Sequence, residues 1–170
     1  AVAEVLAAGG VPSLRFDFPY RVAGRKAPDR PPVLTAAGEE AIADLGQRTG
    51  LPRERLVVGG RSMGGRYCSM AAATGGALGC VLLGYPLHPP GRPDRPRTDH
   101  FGALTGPVLF VHGTRDPFGT PEEIRTAAEL VSGPVTFHWV ETGDHGFRPL
   151  KASGRTLADE RSEEHTSELQ

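Results

Sequence analysis

Apolar positions along the chain follow two rhythms. Short runs of four to eight apolar residues are the mark of buried strands, and apolar residues three or four apart mark helices. Val11–Phe18 is such a run, ended by Pro19, and predicts a strand. Leu56–Gly60, Leu78–Leu83, Val108–Val111 and Val135–Val140 predict further strands, apolar enough to be buried on both faces. Between them lie helical patterns. Ala1–Gly9 reads as a helix whose beginning is cut away. Leu34, Ala37, Ala41 and Leu45 recur at helical spacing, with Gly50 and Pro52 as a stop. Met63–Ala73 is a helix of small residues. Thr120-Pro121-Glu122-Glu123 opens another: threonine caps, proline suits the first helical position, and Glu123 reaches back to close a capping box. Its apolar face is Ile124, Ala127, Ala128 and Val131.

Two stretches break the alternation. Arg21–Pro32 is charged and proline-rich and predicts a loop. Pro86–His100 carries Pro86, Pro89, Pro90, Pro93 and Pro96, which rules out regular helix or a central strand. The remaining order of strands and helices predicts an α/β fold: a parallel sheet covered by helices on both faces. There is no internal repeat.

Composition narrows the partners. The 170 residues suffice for one domain, and a formal net charge of −1 leaves no basic stripe for nucleic acid. The 23 glycines and 16 prolines imply many tight turns. Cys68 and Cys80 sit among small or apolar residues, which predicts buried free thiols. No Cys/His cluster has zinc spacing, so neither metal nor cofactor is expected. The apolar start is too short to span a bilayer and lacks the charged beginning of a signal peptide, which makes a cytoplasmic location the default. The tail Arg161–Gln170, RSEEHTSELQ, is highly polar, resembles a translated sequencing adapter, and is expected to be disordered and non-native.

The chemistry-bearing motif is Gly60-Arg61-Ser62-Met63-Gly64, a match to G-x-S-x-G. A serine standing on a sharp strand-to-helix turn exposes its Oγ above the sheet. Side chains two residues either side would collide, so glycine is expected at both Gly60 and Gly64. The N–H of Met63 is the expected oxyanion donor, aided by the helix start. A nucleophilic serine needs a base, and the base an orienting acid. Asp116 follows one predicted strand in HGTRDPFG, and His145 follows another in GDHGF. Both lie just past strand C-termini, where parallel sheets collect their sites. The order Ser62, Asp116, His145 is the one such hydrolases require.

Other candidates are placed less well. His112 ends a strand and is expected to pack locally, and His138 alternates within one. His100 lies on the proline-rich loop, and His165 in the tail. Asp144 adjoins His145, too near in sequence to orient it, and Asp99 is a displaced alternative acid. Phe18, Tyr20, Arg61, Tyr85, His88 and Phe118 are candidates to line a substrate pocket. A phosphate-cradling reading of Gly59–Gly65 fails, because the spacing fits neither G-x-G-x-x-G with a downstream acid nor a Walker lysine.

GGRSMGG, HGTRDPFG and GDHGF resemble the nucleophile, acid and histidine motifs of the α/β-hydrolase superfamily. RFDFPY (Arg15–Tyr20) and LLGYPLHPPGRP (Leu82–Pro93) resemble its small dienelactone-hydrolase-like branch, which includes testis-expressed and NSL-complex-subunit-like proteins. The resemblance implies a partial hydrolase domain over 1–160 and a tail over 161–170. It implies ester-type acyl hydrolysis of a small molecule by Ser62, Asp116 and His145, with Pro86–His100 overhanging the site. It also implies that a strand and an oxyanion loop normally precede the first helix. That strand would sit between Val11–Phe18 and Leu56–Gly60, so the fragment is expected to lack one oxyanion donor and to be impaired. Some members of the branch are complex subunits, so a non-catalytic scaffold binding a protein partner is the alternative expectation.

Overall fold

The computed structural model describes residues 2–150. Within them, helix α1 spans Val2–Ala8, α2 Pro19–Val22, and α3 Pro31–Thr49. Strand β1 (Val57–Arg61) leads into α4 (Met63–Gly75), then β2 (Gly79–Leu83) and β3 (Val108–Gly113). Helix α5 (Pro121–Ala128) and strand β4 (Val135–Val140) follow. The strands form one parallel sheet in the order β1-β2-β3-β4. A loop with one 3₁₀ turn, Phe101–Ala103, joins β2 to β3, as the prolines predict.

Register sets the core. Val58, Cys80 and Val108 are aligned, as are Gly60, Leu82, Phe110 and Phe137. These alternate residues share a sheet face and form one buried cluster with Ile42 of α3, Ala71 of α4 and Ile124 of α5. Each large aliphatic or aromatic side chain buried there contributes about 1.5–3 kcal/mol. Tyr85, Phe101 and Phe110 form its aromatic centre. Cys68 and Cys80 are buried free thiols, and burial pushes them up to about 11 and about 12. Residues on the other face, such as Val57 and Thr136, are exposed, and Val81, Leu83 and Leu109 are half-buried.

Local signals explain the helix boundaries. Pro31 occupies the first turn of α3, so the helix starts inside the predicted loop, and Gly50 closes it at φ 69°. The capping box of α5 forms as predicted: Thr120 Oγ1 accepts from the Glu123 N–H (3.2 Å), and Glu123 Oε2 accepts from the Thr120 N–H (2.8 Å). Arg53 pairs with Glu39 and donates to the carbonyls of Ala71 and Gly76, which ties α3 to α4.

One predicted element does not form. Residues 11–18 are not a strand, because a strand is defined by its pairing and no described strand lies beside them. Instead Phe18 and Tyr20 turn inward onto Leu34 and Tyr67, making a second small core. Among the described residues strand β1 is consequently the edge of the sheet, and its Val57 is 53% exposed.

Candidate active site

Ser62 stands between β1 and α4 with φ 52° and ψ −122°. A non-glycine residue there carries about 1–3 kcal/mol of backbone strain, held by the surrounding structure. The Ser62 N–H donates to the Leu83 carbonyl (2.8 Å), and its own carbonyl accepts from the Arg66 N–H (3.1 Å). Strand and helix approach each other closely behind the serine. A Cβ on Gly60 would lie 2.8 Å from the Gly64 carbonyl carbon, and one on Gly65 would lie 2.5 Å from the Gly60 carbonyl oxygen. Gly60 is therefore needed as predicted, but Gly64 is not: a Cβ there meets no atom of the described residues within 4 Å. The second obligatory glycine is Gly65, whose backbone packs on Gly60.

Three distant residues meet at this turn. Ser62 Oγ lies 2.8 Å from His145 Nε2, and His145 Nδ1 lies 2.7 Å from Asp116 Oδ2. A carboxylate only accepts, so Nδ1 carries the proton and Nε2 is free to accept from the hydroxyl. Asp116 is 3% exposed, and its Oδ1 accepts from the Phe118 N–H (2.9 Å). The Phe118 ring lies 4.3 Å from the imidazole of His145.

The loops bearing acid and histidine are laced together. The Thr114 N–H donates to Val140, and the Arg115 N–H to Gly143. Thr114 Oγ1 accepts from the Thr142 N–H (2.9 Å). A Cβ on Gly113 would lie 2.6 Å from the Asp144 carbonyl, which shows how closely the two loops run. Thr142 and Phe147 both take φ 60°, so the histidine loop is a tight, strained turn. Asp144 supplies its frame: Oδ1 accepts from the N–H groups of Gly146 (2.7 Å) and Arg148 (3.0 Å). Partial burial alone would raise the Asp144 carboxyl, but these bonds and nearby arginines hold it below its ordinary value. Asp144 thus frames the histidine loop, and the imidazole bonds Asp116 instead.

The substrate-lining candidates divide. Phe118 is at the site. Phe18 and Tyr20 are buried in the second core, and Tyr85 is fully buried with its hydroxyl donating to the Arg97 carbonyl (2.6 Å). His88 is buried beside the carbonyl of Pro89 and the carboxylate of Glu123. These four are structural because their side chains fill the core or bind the loops. Arg61 is exposed, donates to the His145 carbonyl (3.2 Å), and lies 6.0 Å from the Phe147 ring. It braces the histidine loop.

Among the other histidines, His138 is half-buried within β4. His100 Nε2 lies 2.8 Å from the buried Ser69 hydroxyl, and burial, with the nearby Arg66 charge, lowers it to about 4. The loop 86–100 is fixed, since Arg97 donates to Pro86 and Leu87 and the His88 N–H donates to the Phe118 carbonyl. Met63 begins α4, where N–H groups lack intrahelical partners. A groove of about 640 Å³ between residues 14–23 and α3 contains none of Ser62, Asp116 and His145. Among the described residues, no group of three or more His, Cys, Asp or Glu can hold a metal, and no helix is long and apolar enough to cross a membrane.

Phe147 and the framing bonds of Asp144 lie within the GDHGF motif, but its spacing gave no sign of their part in the turn. Only the two glycine pairs, Gly59–Gly60 and Gly64–Gly65, hinted at the tight packing behind Ser62.

Solved structures share this architecture. An alpha-beta serine hydrolase homologue from Coxiella burnetii aligns over 95% of this chain and 71% of its own, at 16% identity and a TM-score of 0.71. A monoacylglycerol lipase from Paleococcus ferrophilus aligns over 95% and 84%, at 16% identity and a TM-score of 0.70. A dienelactone hydrolase-like promiscuous phosphotriesterase from metagenomic libraries aligns over 81% and 60%, at 18% identity and a TM-score of 0.55. At these identities the likeness speaks to fold. The family described as an alpha/beta hydrolase domain matches residues 1–169. With nearly the whole sequence matched and the parallel sheet in place, the chain belongs to the α/β-hydrolase family.

Proposed function

We propose that the protein is a serine hydrolase acting on ester-type bonds of small molecules. The observation that carries this reading is the unbroken relay from Ser62 Oγ to His145 Nε2 and from His145 Nδ1 to Asp116 Oδ2, at 2.8 and 2.7 Å. In the proposed mechanism the Ser62 oxygen attacks the carbonyl carbon while His145 takes its proton. Asp116 holds the imidazole in the required tautomer and stabilises it once charged. The Met63 N–H donates to the oxyanion. His145 returns the proton to the leaving alcohol as the carbon–oxygen bond breaks, leaving an acyl-serine. Water, deprotonated by His145, then releases the acid and restores Ser62.

The similar serine hydrolase homologue and monoacylglycerol lipase favour acyl chemistry. The RFDFPY and LLGYPLHPPGRP segments favour the dienelactone-hydrolase-like branch. Two free cysteines suit a reducing compartment, in keeping with the cytoplasm. The assigned domain covers 1–160, with the adapter-like tail over 161–170 lying outside the described residues.

A fluorophosphonate probe on the full-length protein tests the reading. Labelling of Ser62 is expected, and Ser62→Ala abolishes it and lowers ester turnover by roughly five to six orders of magnitude. A folded protein that takes no label is instead a scaffold.

A further inference from the structure

Behind Asp116 lies a histidine that the mechanism above does not use. His112, at the end of β3, is wholly buried. Its Nε2 lies 2.8 Å from the Gly119 carbonyl, which only accepts, so Nε2 carries the proton. The same nitrogen is 3.6 Å from Asp116 Oδ2, the oxygen that also receives His145. Burial lowers His112 and keeps it neutral; its Nδ1 is buried with no hydrogen-bond partner among the described residues.

The turn from Asp116 to Gly119 is closed by the Gly119 N–H on the Asp116 carbonyl (3.3 Å) and the Phe118 N–H on Oδ1 (2.9 Å). Its far end is held by His112 through the Gly119 carbonyl. Phe118, inside this turn, also sets its ring against His145. The turn therefore fixes both the carboxylate and the aromatic wall of the imidazole. The charged or titratable groups facing His112 are Asp116 and His145. From β4 it meets the uncharged Trp139, over which Arg125 of α5 lies at 4.7 Å.

We infer that His112 is a positioning residue: its Nε2–H clamps the 116–119 turn and faces the Asp116 carboxylate, holding Oδ2 on His145 Nδ1. This role rests on the triad reading for its effect on turnover, but its geometry has a readout that needs no turnover.

The test compares His112→Gln, whose amide N–H can stand where Nε2 stands, with His112→Asn, whose amide falls short, and with the apolar His112→Phe. Each is made in the full-length protein. Proton NMR follows the low-field resonance of the His145 Nδ1–H, which reports the bond to Asp116. In His112→Phe and His112→Asn that resonance is expected to shift or broaden away. kcat for an ester is expected to fall roughly tenfold to a hundredfold, with KM within about twofold. His112→Gln keeps the resonance and most of kcat. If His112→Phe does not fold, the Gln and Asn variants, equally polar, still decide. Equal behaviour of Gln and Asn, or a folded Phe variant with an unchanged resonance, overturns the role of His112. A wild-type protein that shows the low-field resonance but takes no fluorophosphonate label sinks the hydrolase reading and leaves the clamp measurable.

Discussion

The two sides of the site are built differently. Asp116 and His145 leave adjacent strands, β3 and β4, and their loops are bonded to each other at Thr114, Arg115 and Thr142. Bonds between these two loops set most of that side's shape, with Arg61 of β1 adding one to the His145 carbonyl. Ser62 leaves β1, the edge of the sheet, and depends on strained backbone and on two glycines packed face to face. The contrast teaches that Asp116 and His145 are placed by hydrogen bonding, whereas Ser62 is placed by steric fit. Side chains near the acid should therefore tune chemistry, and volume changes near the serine should destroy it.

The largest expected effect sharpens the bonded side. Asp116→Asn keeps the shape but offers His145 Nδ1 an amide in place of a carboxylate. It should lower kcat by about four orders of magnitude, read from fluorophosphonate labelling rates, while the melting temperature stays near that of the wild type.

Next comes the steric side. Gly65→Ala places a methyl 2.5 Å from the Gly60 carbonyl oxygen, so backbone must move. A loss of about 1–3 kcal/mol is expected, with labelling largely lost. Gly64→Ala meets open space and sits within a helix, so it should be neutral or stabilise by roughly 0.5–1 kcal/mol. Equal damage from both alanines, measured by urea unfolding, would break the comparison.

Acid should weaken the serine side through His100, which anchors α4 at Ser69. Burial holds His100 to about 4 in the folded protein, against an unfolded value near ~6.5. Stability is full above the unfolded value. As pH falls through that window the unfolded chain gains a proton that the folded one refuses, so stability drops. His112, also lowered by burial, adds a slope of the same sign. Thermal melting from pH 7 to 4 should therefore fall less steeply in His100→Gln than in the wild type.

The smallest effect concerns the bridge between the two sides. Arg61 is exposed and offers the His145 carbonyl a single hydrogen bond, worth about 0–1 kcal/mol. Arg61→Ala should cost kcat no more than about fivefold. A larger loss confined to KM would return Arg61 to a role in substrate contact.

Much of this arrangement was legible in the sequence. The runs at Leu56–Gly60, Leu78–Leu83, Val108–Val111 and Val135–Val140 each became a strand of the sheet, though Val57 and Thr136 on one face are exposed and not buried as their apolar surroundings suggested. Chain order and strand ends sufficed to bring forward Ser62, Asp116 and His145. What failed depends on neighbours. Residues 11–18 have strand composition but no partner to pair with. Tyr85 and His88 carry polar atoms that look site-like until Arg97, Pro89 and Glu123 are seen to absorb them. Gly64 and Gly65 are equivalent on paper, and only the approach of β1 to α4 distinguishes them.

The two buried cysteines have a practical consequence. With only two in the sequence, and both kept as protonated thiols in the interior, neither offers a ready nucleophile to an alkylating reagent near neutral pH. One cysteine introduced at an exposed position such as Thr136 would react with a maleimide dye ahead of both. The native chain is thus already suited to single-site fluorophore attachment or surface immobilisation, without first removing its own sulfur.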